Sequence, residues 1–224
     1  MGIKPTTPFL VCFGDSLTAG YQTGVGGFGL NADTPYGGFI QQWVGGGAKI
    51  VVTGICGELT SEMVQRFHRD VVAAQPKVTV ILGGTNDLGS GVSPMDIFEN
   101  LKLMYRSALD AGIEPVGVTV PSICVEVSEP GMGQIDSERP IPPWLQTHIN
   151  LRLVLNQQIS EACRTFNIQC LDLFAETLEG PTQLLASQFA SDGLHFNKAG
   201  YEVFARLVWR HLLAEPFGEC PPRD

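Results

Sequence analysis

Short apolar runs alternate with longer helical stripes along this chain. Five of the runs are continuous segments rich in Val, Ile and Leu, and they predict strands at residues 9–13, 49–53, 78–82, 114–120 and 168–171. Continuous apolar strands, in contrast to strands that alternate apolar and polar positions, are typical of a parallel sheet covered by helices. We therefore expect these strands to be buried on both faces.

The segments between the strands have the apolar spacing of one helix face. The first stripe is Leu59, Met63, Phe67 and Val71, and its expected solvent side is Glu62, Arg66, Arg69 and Asp70. Further stripes are Ile97, Leu101, Met104, Tyr105 and Ala108; Leu151, Leu155, Ile159, Cys163 and Phe166; and, after Asn197, Tyr201, Phe204, Val208 and Leu212. The alternation predicts a three-layer α/β/α sandwich with a mainly parallel five-stranded sheet.

Three segments lack this periodicity. Residues 24–38 are rich in glycine, and residues 45–47 are consecutive glycines that predict a helix stop. Residues 121–143 contain five prolines and predict a long loop after the carboxyl end of a strand. Ligands of open α/β sheets bind at those ends, so this loop is a candidate wall of a site.

Composition and charge argue against some classes of function. The 224 residues are 44% hydrophobic and 17% charged, as in an ordinary globular domain, and we expect one domain over residues 1–224. The net charge of −9, with only 14 Lys and Arg and no basic cluster, argues against a nucleic-acid partner. The longest apolar runs fall far short of the roughly 20 residues of a membrane span. The oligomeric state stays open.

The amino-terminal residues and the cysteines bear on location. The first 16 residues contain neither a long apolar core nor a small-residue cleavage site, which favours a cytoplasmic location, although a trimmed secreted form would look the same. The cysteines form no C-x-x-C pair and no histidine cluster adjoins them, so no metal is indicated. Most of the six cysteines are expected to be buried thiols. The six are Cys12, Cys56, Cys124, Cys163, Cys170 and Cys220.

Ser16 stands where the first predicted strand meets a helix start, in FGDSLTAG. A serine at that point is exposed at the sheet edge, and the first backbone N–H groups of the helix point towards it. Serine is also a favoured helix N-cap, so the position alone does not identify a nucleophile.

Asp192 and His195 supply the groups that a serine nucleophile needs, in SDGLHFN just before the last helix. A carboxylate three residues before a histidine can accept the imidazole Nδ1–H, while Nε2 takes a hydroxyl proton. An isolated D-x-x-H is often only a turn. Together with Ser16, it predicts a Ser-His-Asp triad.

Two glycine-containing turns follow the second and third predicted strands, GICGELT and GGTNDLG. Acyl transfer places negative charge on a carbonyl oxygen, and fixed hydrogen-bond donors stabilise that charge. The backbone N–H groups of Ser16 and Gly57 and the side-chain amide of Asn86 are the expected donors of this oxyanion hole. Loss of Asn86 is expected to lower kcat by about 10²- to 10³-fold.

These four segments, in this order, resemble the sequence blocks of the SGNH, or GDSL-type, hydrolases. The four residues that name the family match Ser16, Gly57, Asn86 and His195, and the Asp of the last block matches Asp192. Gly57 is preferred to Gly54 because it directly precedes an acidic residue and the helix start. The blocks span most of the chain, which makes the resemblance specific.

The resemblance implies a flavodoxin-like sandwich that hydrolyses carboxylic esters with short acyl chains through an acyl-enzyme, without a metal or an organic cofactor. The reactants would be a small-molecule ester and water. Thioesters, lysophospholipids and acetylated sugars remain open as substrates of the same site. A non-catalytic ligand-binding relative is the alternative from another class, and the complete set of five residues argues against it.

Other motifs receive plainer interpretations. Residues 24–29 satisfy G-x-G-x-x-G but neither follow a strand directly nor precede an obvious helix, so a nucleotide site is a weak alternative. Asp87 is expected to cap a helix or form a turn. His68, His148 and His211 are expected to be solvated or structural. Cys56, beside Gly57, is expected to be a small buried hydrophobe, although its alkylation could block the site.

Overall fold

A computed structural model describes residues 9–23, 34–125 and 142–221 of the chain. Its strands are β1 (Leu10–Gly14), β2 (Ile50–Gly54), β3 (Val78–Leu82), β4 (Glu114–Val118) and β5 (Gln169–Leu171). They form one sheet in the order β2-β1-β3-β4-β5, and every pair is parallel. This is the strand order of flavodoxin-like sheets. The predicted sandwich with a parallel five-stranded sheet is confirmed.

The helices of the described part alternate with these strands. They are α1 (Ser16–Ala19), α2 (Tyr36–Val44), α3 (Thr60–Phe67), α4 (Thr85–Gly89), α5 (Pro94–Asp110), α6 (Pro143–Phe166), α7 (Leu173–Glu176), α8 (Lys198–Val208) and α9 (Ala214–Phe217). Two π-helical turns, His68–Val72 and Trp209–Leu213, extend α3 and α8. Short 3-10 turns lie at Gly180–Thr182 and Ser187–Phe189.

Each face of the sheet carries its own apolar core. In β1, Leu10 and Cys12 point into the core that includes residues of α2 and α8, whereas Val11 and Phe13 point into the core that includes residues of α3, α5 and α6. Successive side chains of a strand point to opposite faces, so a strand with helices on both sides must be apolar throughout. This explains why the central runs lack a polar alternation.

The structure corrects two burial expectations. β2 and β5 are the edge strands of the sheet, and all of β2 is only half-buried. Burial on both faces therefore holds for β1 and β3 but not for every strand. Arg66, expected on a solvent face, is only 7% exposed, because its guanidinium pairs with buried acceptors beneath α3.

The glycine-rich and proline-rich segments differ from expectation in part. α2 begins at Tyr36, inside the segment read as irregular, and Gly37 allows close packing, because a Cβ there would stand 2.6 Å from Val52 Cγ2. Gly45 ends α2 with a φ of 55°, as the predicted helix stop requires. Residues 24–33 and 126–141 lie outside the described residues, and with them the G-x-G-x-x-G motif and most of the predicted loop.

Gly54, at the end of β2, controls how closely the sheet approaches α1. A Cβ at this position would stand 2.1 Å from the backbone nitrogen of Ala19 and 2.7 Å from the carbonyl oxygen of Asp15. Both neighbours are backbone atoms, so they cannot move aside as a flexible side chain would. This glycine is required by packing, which fits the choice of Gly57 as the functional glycine of the turn.

We predict that Gly54→Ala lowers the free energy of unfolding by about 3 kcal/mol or more, because the added methyl overlaps fixed backbone. Urea denaturation followed by circular dichroism measures the change. Gly46→Ala is the control, since nothing lies within 4 Å of its Cβ position, and its effect should stay within about 0.5 kcal/mol. Equal stability of the two variants would show that α1 does not lie this close to β2.

Candidate active site

Ser16 is the first residue of α1, directly beyond the carboxyl end of β1. Asp15 is the N-cap of this short helix, and its Oδ1 accepts a hydrogen bond from the Leu17 N–H at 2.9 Å. Gly20, with a φ of 85°, ends the helix one turn later. The serine hydroxyl is thus held at a tight strand-to-helix turn. The residue is only 3% exposed, so the expectation of an exposed serine at the sheet edge is wrong.

The turn that carries Asp192 and His195 is closed on both sides. Ala190 and Phe196 form an antiparallel bridge, and the Ser191 N–H donates to the His195 carbonyl at 2.8 Å. Asn197 then caps α8, with its Oδ1 accepting from the Gly200 N–H at 3.1 Å. The imidazole is therefore presented by a backbone that is fixed before the last helix begins.

The structure brings Ser16, His195 and Asp192 into one hydrogen-bonded chain. Ser16 Oγ lies 3.0 Å from His195 Nε2, and His195 Nδ1 lies 2.9 Å from Asp192 Oδ2. The other carboxylate oxygen, Oδ1, accepts from the backbone N–H groups of Leu194 at 2.7 Å and His195 at 2.6 Å. A base can therefore take the serine proton through Nε2 while the carboxylate orients the ring through Nδ1.

Asp192 stays ionised in this arrangement. Partial burial opposes its charge, but the hydrogen bonds from the His195 ring and from the backbone of His195 and Leu194 outweigh that cost and hold the pKa of Asp192 below its ordinary value. A carboxylate that remains charged can stabilise a positively charged imidazolium beside it.

The imidazole of His195 also contacts the segment after α1, which no motif predicted. The Tyr21 ring lies edge-on to the His195 ring, with 4.7 Å between centroids. The Tyr201 hydroxyl donates to the Tyr21 carbonyl at 2.6 Å, and the Thr23 hydroxyl donates to the Ser191 carbonyl at 2.8 Å. These contacts join the segment after α1 to the histidine turn. No sequence pattern predicts them, apart from the nearness of residues 21–23 to Ser16.

The predicted oxyanion donors lie at neighbouring strand ends. Gly57 adopts a φ of 77° in the exposed turn between β2 and α3, and no atom lies within 4 Å of where its Cβ would stand. Asn86 is half-buried in α4, and its Nδ2 donates to the Glu58 carbonyl at 3.0 Å. Because an amide nitrogen carries two N–H bonds, this contact fixes Asn86 and leaves one donor for another acceptor.

The structure also tests the expectations for Cys56, Asp87 and two of the histidines. Cys56 is exposed, so the expectation that it is a buried hydrophobe is wrong: the turn before Gly57 faces outward. Asp87 is 1% exposed, and its carboxylate accepts from the backbone N–H and the hydroxyl of Thr60, so it caps the start of α3 as expected. His68 and His211 are exposed.

The described start of the proline-rich segment also touches the histidine turn. The Cys124 N–H donates to the Gly193 carbonyl at 2.9 Å. A Cβ at position 193 would lie 3.3 Å from the Cys124 carbonyl oxygen, so the glycine permits this approach. The backbone that leaves β4 therefore lies against the Asp192–His195 turn, on the same edge as Ser16.

Asp15, next to Ser16, is a buried acid to which the sequence motifs assign no role. It is fully buried, and its Oδ2 has no hydrogen-bond partner in the described part of the chain. Burial raises the pKa of Asp15 to about 7, the Leu17 N–H and the nearby His195 oppose that rise, and the charges of Asp87 and Glu58 add to it. The acid next to Ser16 therefore keeps its proton well above the pH at which a solvated aspartic acid ionises.

The described residues hold neither a metal-ligand cluster nor a membrane-spanning helix. Within residues 9–23, 34–125 and 142–221, no three His, Cys, Asp or Glu side chains are grouped so that they could hold a metal ion. The helices in those ranges also lack the length and apolar character that crossing a bilayer requires.

Comparison with protein families gives a match over most of the chain. Residues 12–203 match the GDSL-like Lipase/Acylhydrolase family. The matched span contains every residue of the hydrogen-bonded chain and both proposed oxyanion turns. A search of curated proteins gave no significant match.

Solved structures with the same fold include several hydrolases. A lipase/acylhydrolase from Enterococcus faecalis is 25% identical with a TM-score of 0.66, and the alignment covers 91% of this chain and 94% of that one. An α/β hydrolase enzyme from the metagenome of Lake Arreo, Spain, is 19% identical with a TM-score of 0.68, covering 94% and 96%. The inhibitor-bound aryl esterase of M. smegmatis is 17% identical with a TM-score of 0.62, covering 88% and 94%.

We predict that Asp15→Asn becomes more stable relative to the wild type as the pH rises from about 4 to about 7. Above its ordinary pKa of 3.8, Asp15 ionises in the unfolded chain but keeps its proton in the fold up to about pH 7, so the wild type loses stability across this window. Asparagine keeps the cap acceptor and does not titrate. Thermal unfolding at several pH values measures the difference in Tm.

The control for this experiment is Asp110→Asn, which makes the same change of side chain at an exposed position at the end of α5. Its difference in Tm from the wild type should not change across the same window. A constant difference for Asp15→Asn as well would mean that the Asp15 carboxyl is solvated in the folded protein.

Proposed function

Since the chain belongs to the GDSL-like Lipase/Acylhydrolase family, we propose that it is a serine esterase that hydrolyses short acyl esters through an acyl-enzyme on Ser16. One observation carries the proposal: the Ser16 hydroxyl lies 3.0 Å from His195 Nε2, whose ring is oriented by Asp192 on its other side. Ser16 then acts as the nucleophile, His195 as the general base, and Asp192 as the ionised carboxylate that orients the imidazole.

In the proposed reaction, His195 accepts the hydroxyl proton as Ser16 Oγ attacks the ester carbonyl carbon. The resulting imidazolium is stabilised by the Asp192 carboxylate, which remains ionised. His195 then donates its proton to the departing alcohol, and the acyl group stays on Ser16 as an ester. Water enters, gives a proton to His195 and releases the carboxylic acid by the same steps.

The negative charge on the carbonyl oxygen needs donors that are in place before the reaction. We assign this role to the Ser16 N–H, the Gly57 N–H and the second N–H of the Asn86 amide. As the first residue of α1, Ser16 has an N–H with no acceptor inside the helix. The open surroundings of Gly57 leave room for a substrate carbonyl, and the bond to Glu58 holds Asn86 at a fixed position.

Short connections around Ser16 favour small acyl groups. Only residues 55–59 join β2 to α3, and only residues 83–84 join β3 to α4. In the part of the chain that the structure describes, these turns build no separate lid over the serine. These two turns therefore add little apolar surface along which a long acyl chain could bind.

We predict that Ser16→Ala and His195→Ala each lower kcat for p-nitrophenyl acetate by roughly 10⁴- to 10⁶-fold, because each removes a member of the triad. Both variants should keep the wild-type circular dichroism spectrum. The matched controls are Ser107→Ala, at a half-buried serine of α5, and His211→Ala, at an exposed histidine, and both should keep full turnover. Wild-type hydrolysis by Ser16→Ala would end the proposal.

We also predict that kcat/KM falls steadily from p-nitrophenyl acetate through the butyrate to the decanoate. A panel of these esters, with acetyl thioesters and acetylated sugars beside them, measures the preference. A rise towards the decanoate would contradict the assignment to short acyl groups and would leave the triad untouched.

A further inference from the structure

Arg66 in α3 makes a complete set of hydrogen bonds from a nearly buried position. Its Nε and Nη2 donate to the two carboxylate oxygens of Glu58 in a bidentate pair. Nη1 donates to the Thr53 carbonyl and to Asp70 Oδ2, each at 2.9 Å, and Nη2 also donates to the Gly14 carbonyl at 2.9 Å. A guanidinium has five N–H donors, so all of its donors are engaged.

The acceptors of Arg66 are distributed over the turns that carry the proposed site. Gly14 ends β1 just before Asp15 and Ser16, and Thr53 lies at the carboxyl end of β2. Glu58 follows Gly57 directly, and its backbone carbonyl accepts the hydrogen bond from Asn86 Nδ2. One cation is thus linked to the nucleophile turn and the glycine turn, and through Glu58 to the asparagine.

Stability alone is a weak reason for this cluster. Burying a guanidinium and a carboxylate removes both from water, and their attraction often does no more than offset that cost. The bidentate pair does fix the relative orientation of its partners, and the guanidinium is also stacked 4.1 Å from the centre of the Phe13 ring. Its planar group can therefore neither rotate nor shift without breaking several contacts.

We propose that Arg66 is a positioning residue of the esterase, holding Glu58 so that the Gly57 N–H and the Asn86 amide converge on the oxygen of an ester bound at Ser16. This inference rests on the proposed function. Among the described hydrogen bonds, Arg66 donates to neither Ser16 nor His195, so its effect on the reaction passes through its partners, Glu58 above all and the Gly14 carbonyl.

The test uses Arg66→Lys, which keeps the positive charge but loses the planar fork that grips Glu58. We expect kcat for p-nitrophenyl acetate to fall by about tenfold to 10²-fold, the cost of a small misplacement of site groups, while KM changes less than about twofold. Glu58→Gln, which weakens the same pair from the other side, should give the same pattern. Arg69→Lys is the control, because Arg69 also pairs with Asp70 but is 72% exposed, and it should keep wild-type kcat.

A double-mutant cycle with Asn86→Ala separates positioning from general support of the fold. If Arg66 acts through the donor set, Arg66→Lys should lower kcat by less than about threefold once Asn86 has been removed, because groups that act as a unit are not additive. The full loss in both backgrounds would overturn the proposal, as would unchanged kcat in Arg66→Lys or Glu58→Gln. Ser16→Ala, assayed beside them, reports separately on the proposed function.

Discussion

The hydrogen bond between Ser16 Oγ and His195 Nε2 is the contact on which the proposed chemistry depends. It is 3.0 Å long and joins residues 179 positions apart. A single bond of this kind contributes only about 1 kcal/mol to stability, so it cannot hold the two ends of the chain together by itself. The parallel sheet must bring the turn after β1 to the turn before α8, and the bond then forms between groups that are already placed.

The edge of the sheet that carries these groups also carries buried ionisable side chains. Four ionisable residues near this edge are less than 10% exposed: Asp15 and Glu58, which precede α1 and α3, Arg66 in α3, and Asp87 in α4. Burying them is costly, and the protonated state of Asp15 and the bidentate pair of Arg66 are two ways in which the fold limits that cost. Sites that fix polar groups before a substrate arrives often reduce the stability of the whole protein.

The strands and most of the helices could be predicted from the sequence, because their formation depends on residues that lie close together along the chain. The continuous run at residues 78–82 is β3 itself, and the motifs predicted the three side chains that the structure joins by hydrogen bonds: Ser16, Asp192 and His195. The half-burial of β2 depends on which strands lie at the sheet edges, and the burial of Arg66 depends on carbonyls of two other strands. Helix α2 was not predicted because it begins inside the glycine-rich segment, where Gly37 allows close packing against Val52 of β2.

The central claim is that Ser16 is a nucleophile activated by its histidine. Incubation of the purified protein with a fluorophosphonate, followed by intact-mass measurement and peptide mapping, tests it most directly. The account predicts a single covalent adduct on the Ser16 Oγ, formed much more slowly in His195→Ala. A folded protein that is never labelled, or one labelled on another residue while Ser16 stays free, would contradict it.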